Sequence, residues 1–315
     1  MIAELTDTVR RAYRMDHWRE RRRAVIFMMR GVLHWHTLRT LYRYFAGNEI
    51  LRALYAHNPF PVEQATRAFF YAGSTLASRI ALIRAHYDTM MDLLPAQDAV
   101  RLSLDGEYEI WRAADTDMVW RSYLHFDPGQ RKEGLLSVMM DVDNVHLYQM
   151  IFWFDRRNEE RVLIIGAMQG PNTEDAQDFV REMTKRAHRF RTKNLILYMV
   201  QAVARALGMK RIFAVSNAGY YANNHVRVDR KLKTDFGVFW EEAGGRKTED
   251  TRFYELPLTL PRKTMEEVPT RKRAVYRRRF IMLDEVDQII RQNIKKILRK
   301  EDDDEIVLLD SNKEQ

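Results

Sequence analysis

The hydrophobic period of this chain changes twice, and that pattern limits the folds open to it. Across residues 59–95, apolar side chains (Phe69, Phe70, Leu76, Ile80, Ile83, Tyr87) recur mostly every three or four positions, the period of a helix face. Pro61 suits a first helical turn and Pro95 a stop. The stretch predicts one long amphipathic helix, or two with a break near Gly73. Residues 25–55, rich in Leu, aromatic and Arg side chains, predict two shorter helices split near Gly31 and Gly47. From about 98 to 170 the period falls to two. Val100-Arg101-Leu102-Ser103-Leu104 alternates and is followed by Asp105-Gly106, a hairpin signal. Further strands are expected over 108–111, 120–126, 135–140, 145–154 and 162–168, with turns at Asp127-Pro128-Gly129 and Asp155–Glu160. Such short links imply an antiparallel meander. Val162-Leu163-Ile164-Ile165 is apolar on both faces and reads as a central strand.

After Gln169-Gly170-Pro171 the helical period returns. Asn172 or Thr173 is placed to cap a helix running to about Phe190, and a second helix is expected over 193–207 with Gly208 just past its end. Ile212-Phe213-Ala214-Val215 is then a strand, and strand, helices and strand read as a crossover within one sheet. A polar loop over 216–233, a helix over 235–242, a strand over 252–258 and a basic helical tail over 265–300 complete the chain. The expected class is α+β: a helical N-terminal region (1–95), an α+β core (96–262) whose mostly antiparallel sheet carries crossover helices, and a basic helical tail with an acidic C-terminus (263–315).

Charge narrows the partners. Lys plus Arg is 52 and Asp plus Glu 44, a net +8. Residues 10–30 hold eight arginines against Asp16 and Glu20, and residues 262–279 hold eight Lys or Arg against Glu266 and Glu267. The body between is mildly acidic, and residues 301–305 are all acidic. Two basic patches suit a polyanion: nucleic acid, an anionic membrane surface or an acidic protein; the alternative is solvated helix faces paired with the acidic body. The absence of Cys excludes a disulfide scaffold, a Cys-zinc site and a thiol nucleophile. No apolar run approaches the roughly 20 residues of a membrane span. Residues 1–11 lack the apolar core of a signal peptide, so the expected location is cytoplasmic, with peripheral association at the inner face of the membrane left open.

No Walker loop, G-x-G-x-x-G, H-E-x-x-H or G-x-S-x-G is present. His34 and His36 lie two apart, on different sides of a helix, and no metal is expected. Two segments carry candidate chemistry. Gly166-Ala167-Met168-Gln169-Gly170 ends a strand ahead of a helix and could offer backbone N–H groups to an anion; an ordinary strand-to-helix turn is the alternative. Ser216 to His225 is dense in hydrogen-bonding side chains at the carboxyl end of a strand, where open sheets tend to place ligands. His225, Asp229, Glu241 and Glu242 are candidate bases there, against the alternative of a polar surface loop. Trp240 reads as core. Arg271 to Phe280 interleaves Tyr and Phe with basic residues, a mix suited to phosphate or to an anionic bilayer surface.

Five segments together resemble the VirK/YbjX family of bacterial proteins: Ile165–Gly170, Leu207–Asn217, Asn224-His225-Val226, Phe239–Gly245, and Tyr276–Phe280 with Met282-Leu283-Asp284. The resemblance covers roughly residues 30–290 and implies a setting in bacterial virulence, surface-protein display and resistance to antimicrobial peptides, with no settled activity. The order of elements is also similar to the acyl-CoA N-acyltransferase (GNAT-like) architecture, in which the glycine turn after the central strand binds the cofactor pyrophosphate. That resemblance implies an acyltransferase using CoA or acyl-CoA. Gly166, Gln169, Gly170 and Asn217 would hold the cofactor, His225, Glu241 or Glu242 would act as base, and Tyr220 or Tyr221 as acid. The rival expectation is a non-enzymatic protein whose Arg271, Lys272, Arg273, Arg277, Arg278 and Arg279 engage an anionic lipid surface or an acidic protein; nucleic acid ranks third.

Overall fold

The computed structural model describes residues 1–104, 106–115, 117–126, 132–223 and 235–298. Seven helices come first: α1 (Ile2–Ala12), α2 (Trp18–Leu33), α3 (Trp35–Ala46), α4 (Glu49–His57), α5 (Phe60–Ala65), α6 (Leu76–Leu93) and α7 (Ala96–Leu102). Five strands follow, β1 (Glu107–Asp115), β2 (Met118–His125), β3 (Leu136–Val142), β4 (Val145–Arg157) and β5 (Glu160–Gln169). Then come α8 (Ala176–Arg186), α9 (Thr192–Ala206), β6 (Arg211–Val215), α10 (Phe236–Glu242), β7 (Arg246–Lys247), β8 (Phe253–Leu256) and α11 (Arg273–Ile297). The architecture is the expected α+β class.

The strands form one sheet in the order β1-β2-β3-β4-β5-β6-β8-β7. Every pairing is antiparallel except β5 with β6, which runs parallel from Val162↔Arg211 to Ile165↔Ala214 after the α8–α9 crossover. Val162 to Ile165 are all buried, as a central strand requires. Their side chains alternate between two cores, because successive strand residues point to opposite faces. Val162, Ile164, Trp153, Phe213 and Val215 face a core shared with α1 to α6. Leu163, Ile165, Phe152, Phe154 and Ala214 face a second core shared with α7, α9, α10 and α11. The sheet is thus sandwiched between an N-terminal and a C-terminal helical layer.

Three local expectations are corrected. Val100–Leu104 is not a strand: α7 begins just after Pro95, and its Ala99 and Leu102 are buried three positions apart, on one helix face. Gly106, read as half of a hairpin turn, instead closes α7, its N–H donating to the Arg101 carbonyl at 3.0 Å; Asp105 lies outside the described residues. Residues 25–55 hold parts of three helices, not two. Gly31 lies inside α2, where a Cβ would stand only 2.5 Å from Leu5, so this glycine seats α1 against α2 and does not break the helix.

The N-terminal layer is fixed to the sheet through α6. His86 is buried, stacks on Phe154 at 5.3 Å, and accepts the Phe154 N–H at its Nδ1 (3.1 Å). Burial depresses its pKa to about 3, so the ring is a neutral acceptor. Among the described residues no helix is long and apolar enough to cross a membrane.

Candidate functional site

Beyond Ile165 and Ala214 the parallel strands part. The opening at their carboxyl ends is taken by two short segments. Phe70 donates its N–H to the Lys132 carbonyl (2.9 Å), Ala72 donates to the Gly219 carbonyl (2.8 Å), and Tyr71 forms a single bridge with Tyr220. Phe70 is buried and holds a left-handed backbone, φ 66°, a strained conformation for a large side chain. On the β5 side, residues 133–135 cross close over the sheet. A Cβ on Gly166 would lie 1.8 Å from the Glu133 carbonyl oxygen, and one on Gly134 would lie 2.6 Å from that of Phe152. Both positions need glycine because two backbones meet there.

Gly166 therefore sits within β5 and admits the Glu133 backbone instead of forming a phosphate turn. Gly170 lies against the Tyr148 ring, and α8 starts six residues later, at Ala176. The polar loop after β6 is likewise engaged by the fold. The Asn217 side chain donates to Asp235 (2.7 Å) and accepts the Phe236 N–H (2.8 Å), which anchors the start of α10. The Ser216 hydroxyl bonds Thr251 and Gly219. Glu241 accepts from the Tyr254 hydroxyl (3.0 Å) and pairs with Lys247, while Glu242 pairs with Arg191 and Lys193. Both glutamates are exposed at the end of α10. Trp240 is core, its indole N–H donating to the Val215 carbonyl. Asn224, His225 and Asp229 lie outside the described residues.

Three of the expected residues do converge: Gln169, Tyr220 and Tyr221. Gln169 and Tyr221 line a cleft of about 1170 Å³ between the end of β5 and the N-terminal helices. Its floor carries Glu133, only 6% exposed. Burial raises the Glu133 carboxyl above the ordinary carboxylate range, while the Tyr220 hydrogen bond (3.3 Å) and the Lys132 charge oppose that shift. Burial, reinforced by Glu133, raises the Tyr220 hydroxyl in turn. Lys132 lies over the Tyr221 ring, 5.7 Å from its centroid.

The opposite wall is basic. Arg10, Arg11, Arg14, Arg19, Arg23 and Arg67 line it, so that with Lys132 seven cationic side chains face three acids, Asp16, Glu20 and Glu133. Some are held in place. Buried Glu63 accepts from Tyr13 (2.6 Å) and Arg67 (3.0 Å), Arg11 pairs with Asp7, and Arg23 pairs with Glu20. Neither Arg10 nor Arg14 has a side-chain hydrogen bond or ion pair among the described residues, which leaves two guanidinium groups for an anion. Among the described residues no group of three His, Cys, Asp or Glu could hold a metal ion.

The basic window over 10–30 was legible as charge, but nothing local tied it to a site. Glu133 gave no signal at all, because a glutamate between Lys132 and Gly134 reads as a solvated loop residue. The C-terminal basic run is divided. Arg279 donates to the His188 and Arg189 carbonyls and packs on Phe190 and Tyr276, and Arg273 donates to the Val268 carbonyl. Arg271, Lys272, Arg277 and Arg278 are exposed.

A family model described as "Protein of unknown function (DUF535)" matches residues 16–292. The chain belongs to this family. The DUF535 match takes in the sheet, Glu133, Gln169, Tyr220 and α2. The chain is similar to the uncharacterized protein YbjX of Escherichia coli (strain K12), 30% identical over 158 residues, 49% of this chain and 48% of that protein. It is also similar to two uncharacterized proteins of Haemophilus influenzae. One is 29% identical over 171 residues (53% of this chain, 55% of that one), the other 29% over 133 residues (42% and 44%). The chain spans about half the length of the curated relatives it matches. No solved structure matches.

Proposed function

We propose that this DUF535 protein is an acyltransferase that binds an acyl-CoA in the basic cleft and uses Glu133 and Tyr220 for proton transfer. One observation carries the proposal: a buried carboxyl, hydrogen-bonded to a tyrosine, lies at the carboxyl end of the parallel β5–β6 pair and opens onto a cleft with seven cationic side chains. The order of meander, central strand, crossover helices and parallel strand supports the acyltransferase resemblance. The residues fit the ligand. Guanidinium groups suit phosphate oxygens, and the volume, somewhat above that of ordinary small-ligand pockets, has room for a ligand as large as an acyl-CoA. In this reading the phosphate site lies at Arg10 and Arg14 in place of the expected Gly166, Gln169 and Gly170, and Glu133 takes the role of base expected of Glu241 or Glu242; His225, the other expected base, lies outside the described residues.

Acyl-CoA supplies the activated thioester. Glu133, as carboxylate, accepts the proton of an attacking amine or hydroxyl as the new bond to the acyl carbon forms. Tyr220 donates its phenolic proton to the departing sulfur as the carbon–sulfur bond breaks. Glu133 then returns the proton to Tyr220 through their hydrogen bond, and both groups are restored. The raised Glu133 pKa favours this role, because a base poised nearer neutrality is strong yet ionised in use. The setting implied by the VirK/YbjX resemblance makes a bacterial envelope component the acceptor. Isothermal titration with CoA and long-chain acyl-CoA tests the binding step, and no heat at millimolar ligand contradicts it.

A further inference from the structure

Helix α2 turns a large apolar surface to solvent. Trp18, Val25, Met29, Val32 and Leu33 are between 46% and 77% exposed. They stand 7, 11, 14 and 15 positions after Trp18, so at about 100° per residue all five fall within an arc of about 100°. Ala24, Phe27 and Gly31, on the other side, fasten the helix to the N-terminal core. A solvated helix face is ordinarily polar, and five large apolar side chains in one stripe mark an interaction surface.

The charges identify the partner. Arg21 and Arg22 are exposed within or beside the stripe, and Arg19 and Arg30 flank it. The one acid of α2, Glu20, points away from the stripe and pairs with Arg23. A convex single-helix stripe with Trp at one end and arginines among and beside it matches the interface of an anionic bilayer. There the apolar side chains enter the acyl boundary and the guanidinium groups stay at the phosphates. We infer that α2 is a membrane-docking helix that lies in the plane of an anionic lipid surface. The inference places peripheral attachment on α2 and not on residues 271–279, where the neighbouring exposed large apolar side chain is Ile281. It holds whatever fills the cleft. Arg19 and Arg23 line that cleft from the same helix, so docking brings the cleft mouth beside the lipid surface.

Flotation of the full chain with phosphatidylcholine vesicles, alone and with about one-third phosphatidylglycerol, tests the inference. The protein is expected to float only with the anionic vesicles. Met29→Glu with Leu33→Glu, both at exposed positions, should lower the bound fraction about tenfold or more while the thermal midpoint stays at the wild-type value. Arg277→Glu with Arg278→Glu should leave it unchanged. Brominated lipid should quench a part of the tryptophan emission that is missing in Trp18→Phe. Flotation indifferent to lipid charge, or unaffected by the Met29 and Leu33 changes, overturns the inference. So does an absence of flotation, whether α2 then proves to drive self-association, seen as a dimer by sizing, or salt-dependent nucleic-acid binding.

Discussion

The two basic regions of this chain carry the same local excess of charge, but only the first lines a cleft. Over 262–279 and the helix that follows, part of the charge is drawn into the fold while Arg271, Lys272, Arg277 and Arg278 stay exposed on the surface. Arg262 pairs with Asp284 (2.7 Å), Arg279 caps the carbonyls of His188 and Arg189, and Asp287 of α11 holds Arg205 of α9. Over 10–30, several arginines face open volume and two have no side-chain partner among the described residues. An excess of six positive charges is therefore ambiguous until the acids are located. Asp284 and Asp287 recur at helical spacing on α11 and pair with Arg262 and Arg205, whereas at the cleft three acids face seven cations and one of the three, Glu133, is buried.

The largest expected effect tests the cleft. Glu133→Gln should reduce acyl transfer by about a thousandfold while CoA affinity is kept, because general-base catalysis is lost and the shape is not. Wild-type turnover should also fall as pH drops through the raised Glu133 pKa, since protonation removes the base, and the variant should lack that limb. The next effect tests the C-terminal region. Arg205→Ala removes one of the two arginine partners of Asp287 and a bond to the Leu258 carbonyl, and should cost about 2 kcal/mol by denaturant titration, with no change in ligand affinity. Its pH signature follows from Asp287. Burial would raise that carboxyl, but Arg205 and Arg291 overcome burial and hold it below the ordinary range. The unfolded chain then binds more protons, so this stabilisation is present above the ordinary carboxylate pKa and is lost as pH falls through the lowered one. Thermal melts in acid should show the loss in wild type and a smaller one in Arg205→Ala. The smallest effect is expected for Arg277→Glu with Arg278→Glu, less than about twofold in CoA affinity, as suits exposed charges remote from a site.

The sheet was legible because burial on two faces leaves a local record. Val162 to Ile165 is apolar throughout, and it lies in β5, a strand with one antiparallel and one parallel neighbour. Alternation misled only at Val100 to Leu104, where the burial of Ala99 with Leu102 shows a helical face and Pro95 a helix start. The site was less legible, because it depends on contacts distant along the chain. Gly166 is a glycine because Glu133 crosses it, and no local pattern distinguishes that role from a phosphate turn. Asn217 reads as a ligand side chain until Asp235 and Phe236 are seen to use both ends of its amide. Tyr220 was singled out, but its partner was not.

Calorimetric titration of CoA into the wild-type chain and into Arg10→Glu with Arg14→Glu tests the central claim most directly. The account predicts saturable binding to the wild type and a loss of about a hundredfold or more in the variant, since two unpaired guanidinium groups would be replaced by carboxylates. Equal binding to both, or none to the wild type, would contradict it.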